Sequence, residues 1–151
     1  MQERARRRAG RPLAALTLAG VLVACSGEPA ANDLEVGDCI EDESTLNDSG
    51  LVTIDCGDEH TVELVGRFDV EGDDYPGEDE LRTEGDQRCT GELFESYVGA
   101  PYDPQGDVLV TAVLPSADSW DDTGDRTVLC FAHAPGLAET TGSVQGEAGE
   151  G

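Results

Sequence analysis

The amino-terminal segment that ends at Cys25 most constrains this chain, because it decides where everything after it folds. Five arginines between Arg4 and Arg11 are followed by an apolar run from Pro12 to Ala24. The run is 13 residues long, whereas a membrane-spanning helix needs about 20. It has no polar face, which argues against a cytosolic amphipathic helix. The segment therefore predicts an export signal.

The signal closes on Leu22-Val23-Ala24-Cys25, which matches the lipobox of bacterial lipoproteins. Small residues there fit a peptidase cleft, and the cysteine thiol accepts a diacylglyceryl group. The alternative is an ordinary signal peptide followed by a chance cysteine. Two or more acyl chains hold a protein firmly on a membrane. We therefore expect a signal peptide over residues 1–24 and a lipid-anchored (palmitate-bearing) protein on the outer face of the cytoplasmic membrane.

Residues 25–33 form a short tether in this interpretation. The eight residues after Cys25 reach at most about 30 Å when fully extended. The domain that follows is therefore expected to lie close to the bilayer.

The mature chain is strongly acidic. Cleavage before Cys25 leaves four arginines against 32 acidic residues, hence a formal net charge of −28, and the chain has no lysine. Such a charge excludes nucleic acid as a partner, because binding to phosphates needs cations. It also argues against a polybasic contact with anionic lipid. Self-repulsion opposes folding, so the fold needs a compensating source of stability.

Disulfide bonds are the candidate for that source. Cys39, Cys56, Cys89 and Cys130 remain after lipidation of Cys25, and an even number of cysteines in an exported chain implies disulfides. Three connectivities are open. We favour Cys39–Cys56 with Cys89–Cys130, because the first two lie on adjacent short predicted strands. On the chain-entropy model these bonds contribute roughly 3 and 4 kcal/mol.

The hydrophobic pattern predicts an α+β domain, with one helix packed on an antiparallel sheet of about five strands in the order β-β-β-α-β-β. The strands predicted at 51–56 and 60–70 look like a hairpin, and the continuous apolar run at 107–115 suggests a central strand. The domain is expected over residues 34–137, followed by a disordered acidic, glycine-rich tail over 138–151. The remaining predicted elements are strands at 34–40 and 126–134 and a helix at about 79–98.

No catalytic residue set stands out. His60 with Cys56 and Cys39 has the residue types of a zinc site or of a nucleophile–base pair, but cysteines in a disulfide serve neither purpose. His133 is the other histidine, and no Gly-x-Ser-x-Gly elbow surrounds any serine. We therefore predict a protein that is not an enzyme. The serines weighed as partners of a histidine are Ser116, Ser119 and Ser143.

Three acidic clusters have the chemistry for calcium, which prefers several oxygen ligands at one point. The third cluster is the best of them, yet Trp120 falls on a ligand position of the calcium-loop register. Solvated acidic loops are favoured, so no metal and no cofactor is predicted. Trp120 itself could stack on a glycan or bury its loop against the sheet. The clusters are Asp69/Asp73/Asp74, Asp103/Asp107 and Asp118/Asp121/Asp122/Asp125.

The chain contains an ordered set of short motifs: Val36-Gly37-Asp38-Cys39, Val52-x-Ile54-x-Cys56 with His60 and Glu63, Tyr75-Pro76-Gly77, Cys89, Phe94-x-x-Tyr97-Val98-Gly99, Pro115, Trp120, Gly124-Asp125-Arg126, Cys130 and Thr141-Gly142-Ser143-Val144. No single motif is strong, but the ordered set resembles the actinobacterial septum-formation-related domain of small exported or membrane-tethered proteins. The match covers roughly residues 35 to 146.

The resemblance implies a role around cell division or the envelope and brings no enzymatic activity with it. The candidate functional residues are His60, Trp120 and Arg126, of which His60 is the first. Arg126 is expected to pair with an acid such as Asp125 or Asp38. The leading hypothesis is a non-catalytic, membrane-anchored interaction domain whose partners are envelope or division proteins. An extracytoplasmic ligand- or cation-binding lipoprotein and a cell-wall enzyme are the alternatives.

Overall fold

A computed structural model describes residues 31–47 and 51–146. The signal peptide, Cys25 and most of the tether lie outside the described residues, as do residues 147–151. The elements in chain order are β1 (Cys39–Ile40), β2 (Thr53–Ile54), β3 (Val62–Asp69), α1 (Glu78–Cys89), α2 (Glu92–Val98), β4 (Leu109–Val113), α3 (Ala117–Asp122) and β5 (Thr127–His133), with 3₁₀ turns at Ala31–Asp33, Glu43–Asn47 and Pro135–Leu137.

The five strands form one antiparallel sheet in the order β2-β1-β3-β5-β4. The α1 and α2 helices pack on one face of it, which confirms the α+β prediction and the order of its principal elements. The predicted helix at 79–98 is a bent helix that breaks around Thr90 and Gly91. A side chain at Gly91 would meet the carbonyl oxygen of Gln87 at 2.7 Å, so this glycine allows the sharp turn between α1 and α2.

Both preferred disulfides are confirmed. Cys39 bonds to Cys56 and Cys89 bonds to Cys130, with a Cα–Cα distance of 5.3 Å in each pair. The first links β1 to the residue just after β2. The second links the end of α1 to the middle of β5, so it fastens the helix layer to the sheet.

The predicted hairpin of residues 51–56 with 60–70 is wrong. β2 pairs with β1, and β1 pairs in turn with β3. Both residues of β1 are fully buried, because this short strand lies between its two neighbours. The predicted first strand is also shorter than residues 34–40, although Leu34 is buried in the core.

The predicted central position of the 107–115 strand is wrong as well, since β4 is an edge strand. Its apolar run has another cause. Val110 and Ala112 face the helices, whereas Val113 packs against the cluster on the opposite face. The strand is therefore apolar on both faces although only one of its edges is paired.

Two apolar clusters lie on the two faces of the sheet. The helix-side cluster includes Phe68, Leu81 and Trp120, and the opposite cluster includes Ile40 and Phe131. The α1 helix lies so close to the sheet that a Cβ at Gly85 would come within 3.2 Å of the Ala112 Cβ. Gly85, which weakens the helix propensity, is thus required by the packing.

Candidate functional site

Glu63 is the buried carboxylate of the described residues, and it lies on the helix side of the central strand β3. Its side chain is 2% exposed and accepts three hydrogen bonds. Tyr97 donates its hydroxyl to Oε1 at 2.6 Å, and Ser143 donates its hydroxyl to the same oxygen at 2.5 Å. The backbone N–H of Val144 donates to Oε2 at 2.8 Å.

These three donors explain how a carboxylate is accommodated at this depth. Burying an acid without partners costs several kcal/mol, whereas hydrogen bonds to a charged acceptor are the strong ones. No arginine is among the donors, so neutral dipoles do all of the compensation. Both oxygens of Glu63 are occupied, which leaves it few lone pairs for proton transfer.

The partners Ser143 and Val144 belong to a segment that we name the C-terminal strap, residues 139–146. Thr140 and His60 exchange two backbone hydrogen bonds at 2.9 and 2.8 Å. Further along, the Gly146 N–H donates to the Tyr97 carbonyl at 3.0 Å. The strap thus crosses the end of the sheet and encloses Glu63.

The strap corrects the expected disordered tail from residue 138, and the ordered domain does not end at 137. Glycine and acid content alone predicted disorder. Order comes instead from a long-range contact, because Ser143 and Val144 satisfy an acid 80 and 81 residues away in the chain.

The pKa of Tyr97 on α2 is affected by its burial beside Glu63. Burial and the hydrogen bond to Glu63 raise the pKa of Tyr97 to about 12 from its ordinary value of 10.0. A phenolate facing a carboxylate would be repelled, so the phenol is held in its neutral, donating form.

His60, the first candidate from sequence, lies next to this cluster and is 2% exposed. Its Nδ1 is 2.9 Å from the carbonyl oxygen of Asp58. Since a carbonyl only accepts, Nδ1 carries the hydrogen and Nε2 carries the lone pair in the neutral ring.

The second histidine, His133, lines a cavity together with His60 and Glu63. The Nδ1 of His133 donates to the Ala134 carbonyl at 2.9 Å, so its Nε2 accepts from the Thr111 hydroxyl at 3.0 Å. The cavity has a volume of about 210 Å³, and its lining also includes Asp107. Small-molecule sites usually measure about 300–1,000 Å³, so this space suits water or a small polar group better than a metabolite.

Trp120 and Arg126 lie elsewhere, in the helix-side core and at its rim. Trp120 is 1% exposed, which matches a packing role and leaves no ring face for a glycan. The Arg126 guanidinium lies 3.7 Å from the centre of that ring and donates to the carbonyl of Trp120 at 2.8 Å.

The predicted pairing of Arg126 with the carboxylate of Asp125 or Asp38 is wrong. Arg126 donates instead to backbone carbonyls, including those of Asp125 and Gly72. The Asp125 carboxylate accepts from the Thr127 N–H at 3.1 Å. Arg126 therefore joins two loops through their carbonyl dipoles.

Metal-ligating side chains converge at one place in the described part of the chain. The sulfurs of Cys39 and Cys56 and a carboxylate oxygen of Glu63 lie within 4.8 Å of one another. Because the two cysteines form a disulfide, neither provides a thiolate ligand. The three acidic clusters do not bring three such ligand atoms together in these described ranges.

Sequence reasoning missed Glu63 and Tyr97 as site residues, although both fall within the resembling motifs. A signal was present in Glu63, which lies between Val62 and Leu64 in an apolar strand. An acid at that position of a two-sided buried strand needs partners. The sequence contains no sign that these partners come from α2 and the strap.

None of the helices in the described ranges is long and apolar enough to cross a membrane.

Comparisons with known proteins agree with the resemblance. Uncharacterized membrane proteins from the CDC 1551 and H37Rv strains of Mycobacterium tuberculosis are 24% identical to this chain over 114 residues. The match covers 70% of this chain and 25% of each relative, so the chain corresponds to a fraction of their length. No solved structure matches. The model of the family described as septum formation matches residues 36–150, and the chain therefore belongs to the septum-formation family.

Proposed function

We propose that this protein is a lipid-anchored extracytoplasmic domain of the cell envelope that binds protein partners and catalyses no reaction. Cys25 carries the lipid on the outer face of the cytoplasmic membrane. The short tether keeps the folded domain near the bilayer, where division and envelope proteins are the available partners.

The hydrogen bonds to Glu63 support the non-catalytic part of this proposal. An acid–base catalyst needs a free lone pair or proton aimed at a substrate, whereas both oxygens of Glu63 already accept hydrogen bonds, from Tyr97 on α2 and from Ser143 and Val144 on the strap. The same applies to the Nε2 of His133, which Thr111 occupies, and to the four disulfide cysteines. The Nε2 of His60 and the carboxylate of Asp107 are the groups at this cavity to which these contacts do not apply.

The envelope placement is supported by four observations. The segment up to Cys25 has the charge, length and ending of a lipoprotein signal. The matched family is described by septum formation, and the matched relatives are called membrane proteins. The two disulfides suit an oxidising compartment.

The anchor is tested by a Cys25→Ser variant with Ser26→Ala as the matched control, both expressed in an actinobacterial host fed an alkyne-labelled palmitate. We expect label and membrane association in the wild type and the control, and neither in Cys25→Ser. A Cys25→Ser protein that stays labelled on membranes would contradict the lipid anchor.

The non-catalytic role is tested by incubating the purified protein with isolated peptidoglycan and measuring released fragments by mass spectrometry. We expect no release above that from heat-denatured protein. Release that disappears in a His60→Ala variant that still folds would replace the binding role with a cell-wall hydrolase.

A further inference from the structure

The strand β4 leaves one edge of the sheet uncovered. It is the outermost strand beside β5, and all five of its residues are partly or fully exposed. Alternate backbone groups of an antiparallel edge strand point away from its neighbour. Among the described residues, no backbone hydrogen bond joins Leu109–Val113 to a segment other than β5. We call this strand edge the open edge.

The open edge lacks the features that usually protect such a strand. Proteins commonly block edge strands with charged residues, proline, bulges or very short strands. The sequence from Val108 to Leu114 contains no charge and no proline. The strand at the other edge of the sheet, β2, is only two residues long. Its shortness protects that edge, whereas β4 has no such protection.

Recesses lie on both faces of the sheet beside the open edge. On the helix side, a groove of about 580 Å³ lies between α1 and the end of β4 and is lined by Tyr75, Ala112 and Leu114. On the opposite face, an apolar recess of about 110 Å³ is lined by Val113, Phe131 and Leu137, among others. A strand added to β4 would direct successive side chains to these two faces in turn.

We propose that the open edge binds an extended segment of a protein partner, which adds a sixth strand to the sheet. This inference rests on the proposed binding role and specifies its site. Main-chain hydrogen bonds supply affinity in such strand addition, and pockets for alternate side chains supply specificity. The recognised segment carries apolar side chains at alternate positions, to fill the recess and the groove.

Charge makes the partner segment basic. The mature chain carries a formal net charge of −28, and Glu43 lines the apolar recess. At the groove, Glu78 is paired with Arg82, so the charges of these two residues offset each other there. Lysine or arginine in the partner segment would complement this surface. The same charge opposes a second copy of this chain, because two mature chains of −28 each would repel.

The first experiment places the photo-cross-linker p-benzoylphenylalanine at Thr111 of the full anchored chain in cells, with matched probes at Thr53 on β2 and at Thr140 on the strap. Thr111 is exposed. We expect cross-links from Thr111 to a partner segment with net positive charge and alternating apolar residues, and none of that segment from Thr53.

The second experiment uses a synthetic peptide of the segment cross-linked at Thr111 and measures amide hydrogen exchange of the full protein. We expect protection of alternate amides of Leu109–Val113, which surface charge attraction alone would not produce. The variant Thr111→Lys repels a basic segment, so we expect about tenfold weaker binding. Thr53→Lys adds the same charge at the other edge and is expected to change binding less than twofold.

The outcomes separate the site from the binding role. Partners cross-linked at Thr140 or Thr53 but not at Thr111 would overturn the open-edge site and leave the binding role intact. Cross-links from Thr111 only to another copy of this chain would overturn the basic partner. No protein cross-linked at any of the three positions would overturn the binding role itself.

Discussion

The two edges of the sheet differ in how they are held. At one edge, β2 has two residues and is followed by Cys56, which a disulfide joins to Cys39 on β1. The C-terminal strap lies beside this edge, since the Gly142 N–H donates to the Cys56 carbonyl, and it also donates to Glu63 on the central strand β3. We call this the fastened edge. At the open edge, β4 is joined to the fold by its ladder to β5 and by the close packing of Gly85 on Ala112.

The difference shows where this acidic domain places its strongest constraints. A covalent bond and a buried carboxylate that accepts three hydrogen bonds hold the end that contains His60. The open edge has neither, yet along its five residues the outward-facing backbone groups have no backbone partner among the described residues. An edge strand left free of charge and proline is a risk for aggregation, so its retention fits a use in strand pairing.

Removing the disulfides is expected to lower the free energy of unfolding more than any other change to either edge. Cys89 and Cys130 close a separation of 41 residues, and Cys39 and Cys56 one of 17. On the chain-entropy model, replacing each pair by alanine lowers the unfolding free energy by about 4 and about 3 kcal/mol respectively. Urea unfolding monitored by Trp120 fluorescence measures both. Equal stability of the Cys39→Ala/Cys56→Ala protein and the wild type would show that the fastened edge does not depend on its bond.

Glu63→Gln tests the other constraint of the fastened edge. An amide oxygen at Oε1 keeps the bonds from Tyr97 and Ser143, but the amide nitrogen then faces the N–H of Val144, which also donates. Leaving a buried donor without a partner costs about 1–3 kcal/mol, so we expect a loss of about 2 kcal/mol and faster exchange of strap amides.

The matched control for this change is Glu95→Gln, which alters an exposed acid on α2. We expect it to change stability by less than about 0.5 kcal/mol. A Glu63→Gln protein as stable as this control, with a protected strap, would refute the role assigned to the carboxylate.

Alkaline pH provides a smaller and more specific probe of the same edge. The pKa of Tyr97 is raised to about 12 by burial and by Glu63. In this range the folded state keeps a proton that the unfolded state loses. The contribution of the raised Tyr97 pKa to the unfolding free energy is therefore complete below pH 10 and is lost as the pH rises through about 12. The unfolding free energy of Tyr97→Phe should fall less steeply over that window than that of the wild type, whereas parallel curves would contradict the shift.

The sequence predicted the parts of this fold that depend on local pattern and covalent chemistry. The cysteine count predicted two disulfides, and the adjacent short strands that carry Cys39 and Cys56 favoured the observed pairing. Hydrophobic spacing predicted the helix at about 79–98 and the antiparallel sheet on which it packs. The order of strands in the sheet was not predicted correctly. The two-residue strand β1 lies between β2 and β3, and the apolar run of β4 comes from packing on both faces of an edge strand. The site was half visible. His60 was identified, but Tyr97 and Ser143 are joined to Glu63 by contacts that no local pattern records.

The smallest expected effect concerns the stability of the open edge itself. Thr111→Lys and Thr53→Lys each put one cation on an exposed strand position, and substitutions at such positions usually change stability by less than about 0.5 kcal/mol. Thr111 also donates to His133, yet the bond lies at the surface, where water replaces the lost hydroxyl. We therefore expect both variants to unfold in urea within that margin of the wild type. A loss of 2 kcal/mol in Thr111→Lys alone would mean that β4 is part of the stabilising core, and weaker partner binding in that variant would then reflect damage to the fold. Equal stability would instead assign any loss of binding to the edge itself.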